Sequence, residues 1–303
     1  MQALKKINLF MLTLLITGAI DSIRNLPVTA LFGSSLIFFC LFAAVIFLIP
    51  TALVSAELSA KFPKTGGIFH WAKLAFGNHV AFLAVWLQWI NTMVWYPTFL
   101  AFMAGTVSYL INPALMQNKT YLVVVMLVIF WSQTLINLKG LHLSAKFSSV
   151  CVIVGMVIPM VIIIALGIVW LVLLKSIHIS FSEQALMPTI FQSQNWISLT
   201  AIMASYLGME LAAVHVNEVN RPQLNFPRAL VLSVGIILGT VILGSLSIAM
   251  VVPGHQISLV GGVFQAFKIF LQAYHLSFCL PILVVMVLIM VLMPLRPLRE
   301  VLF

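Results

Sequence analysis

The sequence predicts an all-α membrane protein with about eight transmembrane helices, and three observations carry that prediction. Hydrophobic residues make up 63% of the 303 and charged residues 7%, and the mean hydropathy is +1.18. A soluble domain needs about a quarter of its residues charged to cover its surface, so most of this surface must face lipid. The apolar residues also fall into successive runs near the ~20 residues that cross a bilayer core. The formal charge of +9 comes from 15 basic residues scattered along the chain. They form no nucleic-acid face and fit the positive-inside rule better. Cys40, Cys151 and Cys279 lie in apolar runs with neither metal-ligand nor disulfide spacing.

The expected spans, in order, cover residues 7–27, 35–55, 80–111, 121–136, 147–174, 197–216, 229–252 and 276–292. Short links marked by Gly, Pro or polar residues separate them, as at 61–67, 118–120 and 217–227. The first run follows Lys5 and Lys6 as a signal peptide would. It has no A-x-A site and further spans follow at once, so it reads as a retained helix. An N-terminus in the cytoplasm puts Lys5, Lys6, Lys61, Lys64, Lys73, Lys139, Lys146, Arg221, Arg228, Arg296 and Arg299 inside. Only Lys119, Lys175 and Lys268 then lie outside, the last in the loop 253–268. This bias predicts a multi-pass protein of the cytoplasmic (inner) membrane with both ends inside.

Function is expected where the apolar pattern breaks. Late in the first span stand Gly18, Ala19, Asp21, Ser22, Arg24, Asn25 and Pro27. On a continuous helix Asp21 and Arg24 share a face and can pair, which lowers the cost of about 2.5–3.5 kcal/mol for a charge at mid-membrane. Gly18 and Pro27 favour a helix break around them. The readings are a structural or hydrated ion pair, or a substrate or gating role. The sixth span carries Tyr206, Gly208, Met209 and Glu210. Gly208 lets the backbone unwind and offer amides and carbonyls to a small zwitterion. Glu210 is either a protonated carboxyl bonded to a neighbouring helix or part of a proton route. Two interrupted segments, five helices apart, are the sequence sign of a secondary-transporter site, where half-helix N-termini offer positive dipole ends to a carboxylate.

Weaker features fill out the list. Asn91, Trp95, Tyr96 and Pro97 interrupt the third span, with Tyr96 either packing or facing the pathway. Pro159 reads as a kink without chemistry. Gly235 and Gly239 form a GxxxG pair that predicts close helix packing. His215 lies beyond Glu210, either as a relay or as a bonded structural histidine. Gly66-Gly67 lacks the context of a phosphate loop. The seven histidines show no ligand cluster, so no metal and no cofactor is expected. No catalytic order of nucleophile and base stands out, and the chain is not expected to be an enzyme.

Two cytoplasmic stretches carry a family resemblance. Ser55-Ala56-Glu57-Leu58-Ser59, followed by Phe62-Pro63-Lys64-Thr65-Gly66-Gly67, resembles the loop after the second helix of amino acid–polyamine–organocation transporters. Glu218-Val219-Asn220-Arg221-Pro222-Gln223 and Phe226-Pro227-Arg228-Ala229 are similar to that superfamily's segment after the sixth helix. Residues 22–27 and 208–218 are most similar to the glutamate:GABA antiporter-like branch.

The resemblance implies two inverted five-helix repeats, broken in helices 1 and 6, as a single transmembrane transporter domain over 1–303. The first repeat would run from about 7 to 174 and a partial second one from about 197 to 292. It implies antiport or proton-coupled transport of amino acids, with an amino-acid substrate, the lipid bilayer and protons as partners and no nucleic acid. Carried over by position, the substrate-binding residues are Gly18, Ala19, Asp21, Ser22, Arg24, Asn25, Tyr96, Tyr206, Gly208, Met209 and Glu210. The superfamily's first break is rich in small residues, whereas this one holds Asp21 and Arg24, which offers Arg24 as a substitute anchor for the substrate carboxylate. The ending from Met293 to Phe303 does not resemble an eighth-helix continuation, and the second repeat is expected to be incomplete through C-terminal truncation. The competing reading is a non-transporting remnant or membrane scaffold. A membrane enzyme lacks a catalytic constellation, and a channel lacks a filter loop or a ring of like charges.

Overall fold

The structure, a computed structural model, describes residues 7–62, 66–138, 150–173, 175–186, 193–210 and 219–289. The expectations that rest on Pro63–Thr65, on the loop around Lys139 and Lys146, on His215 and Glu218, and on the ending after residue 289 lie outside those residues.

Among the described residues, five helical stretches are long and apolar enough to cross a membrane: Leu9–Ala30, Gly33–Lys61, Asn78–Ile111, Val150–Val172 and Gln223–Val251. Two shorter apolar helices, Lys119–Leu135 and Ser277–Leu288, stand where the fourth and eighth spans are expected. The first stretch consists of α1 (Leu9–Ile20) and α2 (Leu26–Ala30), and the second of α3 (Leu36–Ala43) and α4 (Ile49–Lys61). A short α5 (Gly67–Phe76) precedes α6 (Asn78–Ile111) and α7 (Lys119–Leu138). Next come α8 (Ile158–Val172), α9 (Ser193–Ser205), α10 (Pro222–Val251), α11 (Gly262–Ala273) and α12 (Leu280–Leu288).

Asn8 starts α1 by accepting the Met11 N–H on its side chain at 2.8 Å, which satisfies one of the free donors of the first turn. Two π turns interrupt the spans, Ala44–Leu48 before α4 and Ile153–Val157 before α8. Each is followed two residues later by a proline, Pro50 and Pro159. A proline inside a helix brings no N–H to the carbonyl four residues back and its ring crowds that carbonyl. A widened turn just upstream relieves the clash, so the kink expected at Pro159 takes the form of a π turn.

Close Cα neighbours group the chain into two compact units. One comprises Met1–Ser22, Ile37–Asn91 and Thr189–Gly239. Here Ile7 pairs with Val219 in a parallel bridge, and the Asn220 N–H donates to the Ile7 carbonyl at 3.0 Å. Higher up, the Ser233 hydroxyl donates to the Thr13 carbonyl at 3.2 Å, joining α10 to α1. Helix α9 packs on the π turn Ala44–Leu48.

The other unit comprises Ile23–Leu36, Thr92–Pro188 and Thr240–Phe303. Its core gathers Phe99, Phe102 and Met103 of α6, Met160 and Ile163 of α8, Phe264, Phe267 and Phe270 of α11, and Val284 and Val287 of α12. The sequence reading treats 253–268 as a loop, and the structure corrects this. Gly262–Ala273 is a helix that buries Val263, Phe264, Phe267, Phe270 and Leu271. Phenylalanines three apart make one helical stripe, and the helix is too short to register as a span. Its entry needs Gly262, because a Cβ there would stand 2.9 Å from the Pro27 ring.

A second correction concerns the GxxxG pair. A Cβ on Gly235 or on Gly239 meets nothing within 4 Å among the described residues. The close helix approaches fall instead at Gly244, against Leu26, and at Gly167, against Ser247.

Candidate functional site

The first break lies where the sequence places it. Helix α1 ends at Ile20, and Asp21 is extended at φ −70° and ψ 132°, its N–H donating to the Thr17 carbonyl at 2.8 Å. A 3-10 turn, Ile23–Asn25, follows, and α2 restarts with Pro27 in its first turn, where a missing N–H costs no hydrogen bond. A continuous helix would have lost that bond, so Pro27 favours the restart. The extended residue at Asp21 also removes the i, i+3 helical relation on which a pair with Arg24 is expected. Gly18 and Ala19 sit in the last turn of α1, and Ser22 bridges the break half-buried.

Arg24 is 9% exposed. Its Nη1 donates to the Trp95 carbonyl at 3.2 Å and to Thr98 Oγ1 at 2.7 Å. The guanidinium carbon lies 4.9 Å from the centre of the Trp95 ring, and that ring stacks on Phe99 at 5.5 Å. Among the described residues, the groups that hold the cation are a main-chain carbonyl, a hydroxyl and an indole face, all uncharged. The same Trp95 carbonyl also accepts the Thr98 hydroxyl at 2.6 Å, so Arg24 joins an existing side-chain bond in the turn that contains Pro97. The next residue of the same turn, Tyr96, donates its hydroxyl to Gln133 Oε1 of α7 at 2.7 Å and meets Phe130 edge-on at 5.9 Å. Asn25 is half-buried, and its carbonyl accepts the Thr29 hydroxyl at 3.3 Å.

The sixth span breaks at Gly208. Helix α9 ends at Ser205, and the Tyr206 and Leu207 N–H groups reach back only three residues, to Met203 and Ala204. Gly208 then takes φ 121°, which a side chain would oppose. Tyr206 and Met209 are fully buried and Glu210 is partly buried. The Tyr206 hydroxyl donates to the Cys40 carbonyl at 3.5 Å, which ties this break to α3. Asp21 and Tyr206 belong to the same compact unit.

The amino acid permease family matches residues 7–295. The chain belongs to that family. The permease is 41% identical to an uncharacterized transporter of Legionella pneumophila over 281 residues, 93% of this chain and 60% of that protein. It is 31% identical to a glutamate/gamma-aminobutyrate antiporter of Lactococcus lactis over 266 residues, 87% of this chain and 53% of that protein. A probable agmatine/putrescine antiporter of Lactococcus lactis is 23% identical over 247 residues, 81% of this chain and 51% of that protein. The permease chain spans about half to three-fifths of the length of these relatives. It is an all-α, multi-pass membrane protein of a transporter family.

Gln133 and Thr98 are absent from the residues that sequence reasoning selects. A signal for Gln133 exists, since Ser132-Gln133-Thr134 interrupts the apolar run of α7. Thr98 carries none, because a threonine beside a proline in a span is unremarkable until Arg24 is seen to reach it.

Proposed function

We propose that the permease carries amino acids across the cytoplasmic membrane by exchange or proton-coupled uptake, with its N-terminus inside, and that Arg24 receives the substrate carboxylate. The observation that carries this reading is the setting of Arg24. A guanidinium has five N–H donors, and the hydrogen bonds that Arg24 makes to described residues leave from Nη1. A buried cation held by neutral groups alone is costly in a membrane, and a bidentate carboxylate is its natural complement. Asn25 and Tyr96 are proposed to line the same side of the pathway. At the other break, the backbone exposed at Gly208 and the carboxyl of Glu210 are proposed to serve substrate or proton binding. The antiporter relatives support exchange as the transport mode and an acidic amino acid as one substrate.

The test is uptake and counterflow in proteoliposomes with a panel of amino acids, using the chain both as given and extended to the length of its relatives. Arg24→Gln is expected to lower uptake by at least tenfold, chiefly through KM, and Arg24→Lys to restore only part of it. Unchanged KM in Arg24→Gln for every transported amino acid would sink the assignment.

A further inference from the structure

Helix α5 does not fit the role of a span. Its 10 residues rise about 15 Å, half of the ~30 Å bilayer core. It is set off on both sides by glycines with positive φ, Gly66 at 118° and Gly77 at 84°, which lets it leave the direction of its neighbours. One exposed side carries Phe69, 40% exposed, and Phe76, 73% exposed. Lys73 shares that side, with its ammonium 5.9 Å from the Phe69 ring. Lys73 is the one charged residue of α5, while Lys61 of α4 is paired with Glu57. Beyond Gly77, Asn78 and His79, exposed apolar residues resume on α6 at Phe82, Leu83 and Trp86, which a membrane protein turns to lipid.

We propose that α5 is an interfacial helix that docks on the anionic phospholipid of one leaflet. Phe69 and Phe76 enter the acyl boundary, and Lys73 snorkels to the phosphates. An apolar side whose one charge is a lysine matches a negatively charged leaflet. Beyond Asn78 and His79, exposed apolar residues resume on the lipid-facing side of α6. This inference is independent of the substrate assignment.

The test uses the whole chain in lipid nanodiscs of phosphatidylcholine, with or without phosphatidylglycerol. A fluorophore is placed at Phe76→Cys, or at Asn118→Cys as a water-exposed reference, with Cys40, Cys151 and Cys279 replaced by alanine. In discs with phosphatidylglycerol, iodide is expected to quench the label at 76 roughly threefold less than the label at 118. Lys73→Glu should raise quenching at 76 roughly twofold in those discs and leave it unchanged in phosphatidylcholine alone. If Lys73→Glu does not fold, raised salt on the parent chain must produce the same rise, because surface attraction is screened. Equal quenching at 76 and 118 overturns the proposal. So does protection at 76 that ignores lipid charge, Lys73→Glu and salt alike, since neutral lipid or another part of the protein then covers the face.

Discussion

The Tyr96 hydroxyl donates to the side-chain carbonyl of Gln133 at 2.7 Å, joining α6 to α7 one residue before Pro97. Gln133 is 4% exposed, so the bond is made away from water. A buried hydrogen bond is worth about 0.5–1.5 kcal/mol net. Gln133→Leu and Tyr96→Phe are each expected to destabilise the protein by about that amount, and the pair to show a coupling of the same order. Unfolding in mixed micelles for the four members of the cycle measures it, and a coupling near zero would remove the bond from any role in positioning Tyr96.

Arg24→Leu separates stability from transport. Among the described residues Arg24 is held by uncharged groups, and replacing it with an apolar group removes the cost of keeping a charge out of water. The variant is expected to unfold no earlier than the parent while its uptake is lost. A large loss of stability would instead mark Arg24 as a structural clamp on the Trp95–Thr98 turn.

Two glycines of the same chain are expected to respond oppositely to alanine. At Gly208 the φ of 121° makes a side chain strained, so Gly208→Ala should cost about 1–3 kcal/mol. At Gly235 a Cβ meets open space and the site is helical, so Gly235→Ala should be neutral or stabilising by about 0.5–1 kcal/mol. Comparable losses in both variants would contradict the break at Gly208.

These outcomes bear on what was legible beforehand. Pro27 and Gly208 announce both helix breaks because their chemistry acts within a turn, and the structure breaks the chain at both. The partners of Arg24 were not legible. A continuous helix suggests Asp21 three residues away, but the extended conformation at Asp21 voids that spacing, and Trp95 and Thr98 lie more than 70 residues on. Gly235 and Gly239 show the converse, since a local pattern cannot say which face of α10 meets a neighbour. Helix α11 was hidden because span-length windows average its phenylalanine stripe with the polar loop before it.

The proposed orientation rests on the charge bias. Single cysteines at Lys61 and at Asn118 are expected to react with membrane-impermeant maleimide from opposite sides, the second from outside in sealed cells. Labelling of Lys61→Cys from outside would invert the proposed topology.

The π turn Ala44–Leu48 has a consequence for anyone who scans this helix residue by residue. Before the turn, Leu36, Cys40 and Ala43 are buried, as an α-helical repeat requires. Continued unchanged, that repeat would next bury residues near 47, 50 and 54. The buried positions are Leu48, Ala52, Ser55, Ala56 and Ser59, whereas Val54 is 55% exposed. A π turn accommodates one additional residue, which advances the phase by about 100°. An accessibility scan across 36–61 will therefore show two clean periodic signals that are out of step. A single deletion within 44–48 would bring them into register and rotate either the lipid-facing or the inward side of α4 to the wrong environment.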